Sequence, residues 1–234
     1  MKVSVALAAY NGEKYIAEQL HSILGQLRSD DEVIVSDDNP GGETERIVRE
    51  MAASDKRIHY FEGPGQGVIK NFEYAISKTT GDIIFLSDQD DVWMPDKVRA
   101  ITREIKDGAV LVLHNAEVTD ESLNIIEESF FEIHGSKKGW LSNVIKNSYM
   151  GCCMAFDACL KEKILPFPKR LPMHDQYIGL VAEKYARRNG RRVVFLNTPY
   201  ILYRQHGDNL TGGKTKLSDK IRWRCSIIIK TLFK

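Results

Sequence analysis

The chain has 234 residues, 43% of them hydrophobic, which is enough for one large domain with a packed core or for two small ones. Lysine and arginine number 33 against 32 aspartates and glutamates, so the total charge gives no reason to expect a nucleic-acid binder. The balance is uneven along the chain: residues 214–234 carry +6, with Asp219 their one acid, and leave −5 on the rest.

The N-terminus holds one lysine and a short apolar run that breaks at once into polar residues, unlike the apolar segment and cleavage site of a signal peptide. No stretch reaches the roughly 18 apolar residues of a spanning helix. Cys152, Cys153, Cys159 and Cys225 lack metal-binding or disulfide-framework spacing, which fits a reduced interior. The expectation is a cytoplasmic protein, soluble or peripheral on the inner face of the cell membrane.

In chain order, residues 2–8, 31–37, 57–61 and 82–88 are β-branched runs that read as strands. Between them 13–27, 43–53 and 68–78 have helical periodicity, with Asn11 near the N-cap of the first. This βαβαβαβ order implies a mostly parallel central sheet flanked by helices, with ligands at the carboxyl ends of the strands. A helix at 95–106, strands at 109–120 and 149–156, a helix at 174–188 and strands at 192–196 and 200–206 complete the same sheet. No linker composition divides the chain. In the basic tail Leu217, Ile221, Cys225, Ile228 and Leu232 form one helical stripe. Such a helix either docks on the body or lies on an anionic membrane, and the basic charge favours the membrane.

Three polar clusters follow three of the strands, "AYNGE" at 9–13, "SDDN" at 36–39 and "SDQDD" at 87–91, and would meet in one crevice. Asp88, Asp90 and Asp91 repel one another unless something positive sits among them. Helix capping by Asp91 or Asp96 needs only one acid. A hard cation, Mg²⁺ or Mn²⁺, takes one or two carboxylates and completes its shell with phosphate and water, so a metal-bound diphosphate is the favoured partner. In "DDNPGG" one aspartate of the pair Asp37–Asp38 suits the turn, and the other can accept the imide N–H of uracil or thymine. The "GPGQG" at 63–67 is neither a dinucleotide fingerprint nor a Walker loop.

Taken in order, "ALAAYNGEKYIAEQLHSILGQ", "IVSDDN", "GVIKNF", "LSDQDDVWMPDK", "GCCMAF", "MHDQYIGLVA" and "YILYRQHGDN" resemble inverting glycosyltransferases of family 2 with a GT-A fold, rhamnosyltransferase-like bacterial members above all. The resemblance covers about residues 2–210. It implies one GT-A domain over 1–213, with a nucleotide-binding half at 1–92 and an acceptor half at 93–213, followed by the tail at 214–234. It also implies a dTDP- or UDP-sugar donor and a saccharide or lipid-linked hydroxyl acceptor in surface polysaccharide assembly.

By that resemblance Tyr10 packs on the base and Asp38 hydrogen-bonds it. Lys70 and Asn71 lie near the nucleotide, although the family often has arginine where Lys70 stands. Asp88 and Asp90 are the ends of Asp-x-Asp, with Asp90 the direct metal ligand, and Asp91 is a supporting or donor-sugar contact. Asp175 becomes the candidate base. Its other reading is an acid favoured at the start of a helix. His206 either joins the metal shell or is a surface-loop histidine. Trp93 either lines the sugar pocket or packs, and His174 is a neighbour rather than a catalyst. The residues leave open a sugar nucleotidyltransferase, against which stands the lack of a Gly-rich, Arg-containing first loop, and a non-catalytic nucleotide-sugar-binding domain.

Overall fold

The structure, a computed structural model, describes residues 1–207 and 217–232, without the side chains of 217–221 and 232. The first half runs β1 (Val3–Ala9), α1 (Ile16–Leu24), β2 (Glu32–Asp37), α2 (Glu43–Ser54), β3 (Ile58–Glu62), α3 (Val68–Lys78), β4 (Ile83–Asp88). Then come β5 (Val92–Trp93), α4 (Lys97–Lys106), β6 (Ala109–Thr119), β7 (Ile125–Glu127), α5 (Phe130–His134) and α6 (Trp140–Ile145). The chain continues with β8 (Met154–Asp157), α7 (Lys161–Ile164), α8 (His174–Asn189), β9 (Arg192–Arg204) and α9 (Leu217–Leu232).

One sheet carries both halves, in the order β3-β2-β1-β4-β8-β6-β9-β5, with β7 on β6. The strands β1 to β4 pair in parallel, and β1 and β2 are buried along their whole length. That burial is why they read as continuous apolar runs instead of alternating ones. Beyond β4 the sheet is mixed: β8 lies antiparallel between β4 and β6, whereas β6 and β9 are parallel. The register aligns the ends of three strands, since Ala8 faces Asp88 across β1–β4 and Ala9 faces Asp37 across β1–β2. The three polar clusters therefore leave the sheet from one edge.

Several expected elements are corrected. Helix α1 starts at Ile16 with no side-chain cap; Asn11 instead sits at φ 50° and accepts a bond from Asn39 Nδ2 at 2.7 Å. Asp96 occupies the N-cap position of α4 but makes no side-chain cap and pairs with Arg99 at 2.9 Å. The strand expected at 149–156 is shortened because Gly151–Cys153 form a 3₁₀ turn ahead of β8. The two strands expected at 192–196 and 200–206 are one, β9, which absorbs "NTP" as a register shift: Leu196 faces His114 and Pro199 faces Asn115. The Asn197 carbonyl, freed there, accepts from Asn115 Nδ2 at 3.0 Å.

In α9, Ile227 and Thr231 are buried and Ile228 is partly buried against the core, while Cys225 is exposed. Of the expected stripe, Ile228 packs against the core and Cys225 does not. The side chains of Leu217, Ile221 and Leu232, with residues 208–216 and 233–234, lie outside the described residues.

Candidate active site

The tip of β4 is stitched to the tip of β1 by Gln89. Its Oε1 accepts from the Tyr10 amide at 2.8 Å and its Nε2 donates to the Tyr10 carbonyl at 2.9 Å. A side chain on Gly12 would strike the same amide, with a Cβ only 2.1 Å from Gln89 Oε1. This leaves the Tyr10 ring exposed at the mouth of the crevice. From beneath, buried Gln19 of α1 donates to Ser87 Oγ at 2.8 Å and to the Asp88 carbonyl at 3.1 Å.

Asp38 anchors the neighbouring glycine-rich loop. Its two carboxylate oxygens accept from the Gly65 amide at 2.7 Å and the Gly67 amide at 2.6 Å. Both glycines have positive φ, 64° and 86°, a region that side chains disfavour, so "GPGQG" is an acid-anchored turn. Each carboxylate oxygen keeps a second lone pair. Asp37 is buried, with Asn39 N at 3.1 Å and the Tyr60 hydroxyl at 3.2 Å. Burial is the main cause that raises its carboxyl above the usual range. Asn71, also buried, donates to the carbonyls of Ala9 (3.0 Å) and Ser36 (2.9 Å), so it braces strand ends. Lys70 lies on the rim, paired with Glu73.

The acidic trio divides. The Asp90 carboxylate faces His206, with Oδ2 2.9 Å from Nε2, and the imidazole packs on Tyr15 at 5.0 Å between centroids. Asp88 and Asp91 turn toward Cys152, and one potential ligand atom from each of the three lies within 4.8 Å of the others. Burial, then Asp90 and Asp175, push the Asp88 carboxyl up to about 7. Burial, then Asp90 and Asp88, hold the Asp91 carboxyl well above its ordinary value. Asp91 Oδ1 accepts from the Arg204 amide at 3.2 Å, whereas Oδ2 is buried without a hydrogen-bond partner among the described residues. One acid beside an imidazole, and two more grouped with Cys152, one of them with an unsatisfied oxygen, supply the oxygen donors that a divalent cation takes.

The protein itself supplies positive charge that sequence reasoning missed. Lys97 is fully buried, donates to the Cys152 carbonyl at 2.8 Å and lies 4.1 Å from the centre of the Trp93 ring. Burial lowers its ammonium to about 8, against the raising influence of Cys153, Cys152, Asp91 and Asp88. Trp93 is thereby a packing residue, buried beside Phe85. Arg204, 4% exposed, donates from Nε to the Asp90 carbonyl at 2.8 Å and from Nη1 to the Glu121 carbonyl at 2.7 Å. It also pairs with Glu18 at 2.5 Å, and its guanidinium lies over Tyr15 at 4.7 Å. Both residues stand inside the motifs quoted above, and nothing in their spacing marks them as buried.

Asp175 begins α8 and is buried, with the Gln176 amide at 2.6 Å from its Oδ1. Burial pushes its carboxyl up to about 7, while that amide and Asn147 pull the other way. His174 beside it stacks on Phe72 at 4.4 Å and is lowered to about 4 by burial, which keeps its ring neutral.

A family model described as glycosyl transferase family 2 matches residues 4–158. Among curated proteins, dTDP-rhamnosyl transferase RfbG of Shigella flexneri is 27% identical, with 92% of this chain and 77% of that one covered. GalNAc(5)-diNAcBac-PP-undecaprenol beta-1,3-glucosyltransferase of Campylobacter jejuni is 23% identical over 92% of this chain and 69% of its own. Relatives are longer: the chain spans 41% of an uncharacterized Nostoc glycosyltransferase that is 29% identical over 55% of this chain. S. aureus TarS 1–349, solved with UDP-GlcNAc, superposes with a TM-score of 0.74 at 19% identity, over 98% of this chain and 66% of that one. Mannosyltransferase PcManGT of Pyrobaculum calidifontis, solved with GDP-Man and Mn²⁺, gives 0.62 at 19% identity, over 99% and 63%. Both likenesses speak for the fold.

Proposed function

The chain belongs to glycosyl transferase family 2, and from that premise we propose a metal-assisted, inverting transfer of a sugar from a dTDP- or UDP-sugar to a hydroxyl acceptor in surface polysaccharide assembly. One observation supports it: the β1–β2 and β1–β4 registers bring the segments that carry Tyr10, Asp38 and the acidic trio to one end of the sheet, and Asp175, after burial and Asp90, adds to what raises the Asp88 carboxyl. The likeness to RfbG supports a dTDP-sugar, rhamnose among the candidates, and the likeness to the Campylobacter enzyme supports a lipid-linked acceptor.

In this reading Tyr10 stacks on the base, Asp38 uses its spare lone pairs on the ring imide, and Lys70 reaches the phosphates from the rim. Asp90 and Asp88, with His206, would hold Mg²⁺ or Mn²⁺, and a cation held there would supply charge neutralisation at the leaving diphosphate. Asp175 accepts the proton of the acceptor hydroxyl as that oxygen bonds to the anomeric carbon and the bond to the diphosphate breaks. Attack on the face opposite the leaving group inverts the anomeric centre. Buried, neutral-leaning Asp175 is suited to this, because a base with an affinity near neutrality takes a proton readily and is still available above pH 7.

The test is a thermal-shift screen of nucleotide sugars with Mn²⁺. A ligand at a hundred times its dissociation constant stabilises the native state by about 2.7 kcal/mol, or about 5–10 °C for a chain of this size. A dTDP- or UDP-sugar should give that shift only with metal, and Asp90→Ala should lose it. No shift with any nucleotide sugar, or the same shift without metal, would defeat the reading; a shift without transfer to any acceptor would leave a binding domain.

Gln89 should act on affinity. Replacing it by alanine removes two hydrogen bonds that set Tyr10, and KM for the donor is expected to rise about tenfold with kcat within about twofold. Steady-state kinetics checks it: an unchanged KM would mean that the Tyr10 loop holds itself.

A further inference from the structure

The face that α9 leaves exposed joins a second apolar face on α6. Arg224 donates from Nη2 to the Ile145 carbonyl at 2.6 Å, capping the end of α6, and Lys184 holds the other end of α9 through the Thr231 carbonyl at 2.6 Å. Ile227 and Thr231 face inward. Outward stand Leu141 and Ile145 of α6, 71% and 62% exposed, and Ile229 of α9, 58% exposed, with Trp223 at the flank. Lys146, which follows α6, contacts the His134 carbonyl and so ties in α5, where Ile133 is exposed too. Exposed large apolar side chains on α5, α6 and α9, elements tied together by these contacts, exceed what a solvated surface needs.

The surrounding charge selects the occupant. Arg222, Arg224 and Lys230 belong to α9, Lys137 and Lys138 precede α6 and Lys146 follows it, so the same segments that carry these apolar side chains carry six basic ones, and the chain from 214 onward has a single acid. A protein partner of ordinary composition would not require this surplus; a surface of anionic lipid headgroups over hydrocarbon matches both features, since apolar side chains enter the interface and lysines and arginines meet the phosphates. We propose that α6 and α9 together form a docking surface for an anionic lipid bilayer, with Leu141, Ile145 and Ile229 inserting and the basic residues around them meeting the headgroups. The inference does not rest on sugar transfer, and its test needs no donor.

The structure also changes the obvious test. Deleting the tail would uncover the groove that Ile227 and Thr231 fill, so loss of binding could follow from misfolding. Substitution of exposed residues avoids this. The full chain should co-sediment with phosphatidylcholine vesicles containing 30% phosphatidylglycerol roughly tenfold better than with phosphatidylcholine alone, and lose most of that in 0.5 M salt. The variant Leu141→Gln/Ile145→Gln/Ile229→Gln should bind at least about tenfold less, with melting temperature and far-ultraviolet circular dichroism unchanged. Equal pelleting of variant and parent overturns the proposal, as does failure of the parent to pellet. A parent that is a dimer by sedimentation equilibrium, made monomeric by the same substitutions and indifferent to vesicles, would make the face an interface between copies and overturn it as well.

Discussion

Replacing Asp175 by asparagine is expected to stabilise the protein above pH 7 while removing most of its transfer activity. The buried carboxyl holds its proton up to about 7 in the folded chain, whereas an unfolded aspartate releases it near 3.9. Between those values the native state binds the extra proton, so stability falls as pH rises through that window and stays lowered above it. Asparagine carries no charge to desolvate and its Oδ1 can still accept from the Gln176 amide. At pH 8 the variant should be more stable by on the order of 2 kcal/mol, several degrees in melting temperature, and the advantage should vanish below pH 4. Transfer has the opposite demand, because only the ionised carboxylate accepts a proton. The wild-type rate should climb as pH passes about 7, and the asparagine variant should be slower by about 10²–10⁴-fold with no such limb. Thermal melts at pH 4 and 8 beside a pH–rate profile decide it; a variant retaining the acid limb would assign that limb to another group.

Arg204→Met should unfold the protein most readily among single changes at the crevice. The guanidinium joins the Asp90 carbonyl, the Glu121 carbonyl and the Glu18 carboxylate, which belong to three separate segments, and it is almost wholly buried. Methionine keeps the stem but leaves two carbonyls without their donor, in a place where water does not readily replace it. A loss of about 3–5 kcal/mol follows for breaking such a buried charged network, seen as a melting temperature lower by about 10 °C. Lysine restores the charge without the planar fork and should recover only part. Circular-dichroism melts of the three proteins settle the matter, and a methionine variant within about 2 °C of the parent would mean that the loop is held by the Arg204 amide on Asp91 and not by the side chain.

Two buried cations, Lys97 and Arg204, explain where reading from sequence stopped. The first four strands were legible because their burial on both faces leaves a continuous apolar signature, and the acids were legible because Asp88 ends such a run. Lys97, by contrast, follows Pro95 and Asp96 in a first helical turn, where a lysine ordinarily faces water; only the fold puts Cys152 and Trp93 around it. Arg204 meets Asp91 across 113 positions of chain. Gln89, the middle residue of Asp-Gln-Asp, carries no local signal, yet its amide mimics a strand partner for Tyr10. Long-range polar contacts of this kind leave no local period. The same limit applies to α9, where the contacts of Thr231 with Lys184 of α8 and of Arg224 with Ile145 of α6 join segments far apart in the chain.

The insertion of β8 between β4 and β6 has a consequence for biogenesis. Phe156 pairs with Ile84 on one side and Leu111 on the other, and Ala155 with Phe85 and Val112. A nascent chain that has left the ribosome through β6 therefore has two apolar strands with bare hydrogen-bonding edges and nothing yet made to fill the gap. Such edges are templates for misassociation. The four-residue segment at 154–157 is consequently the keystone that joins β6 to the first half-sheet, and the outer edge of β6 stays bare until β9 follows.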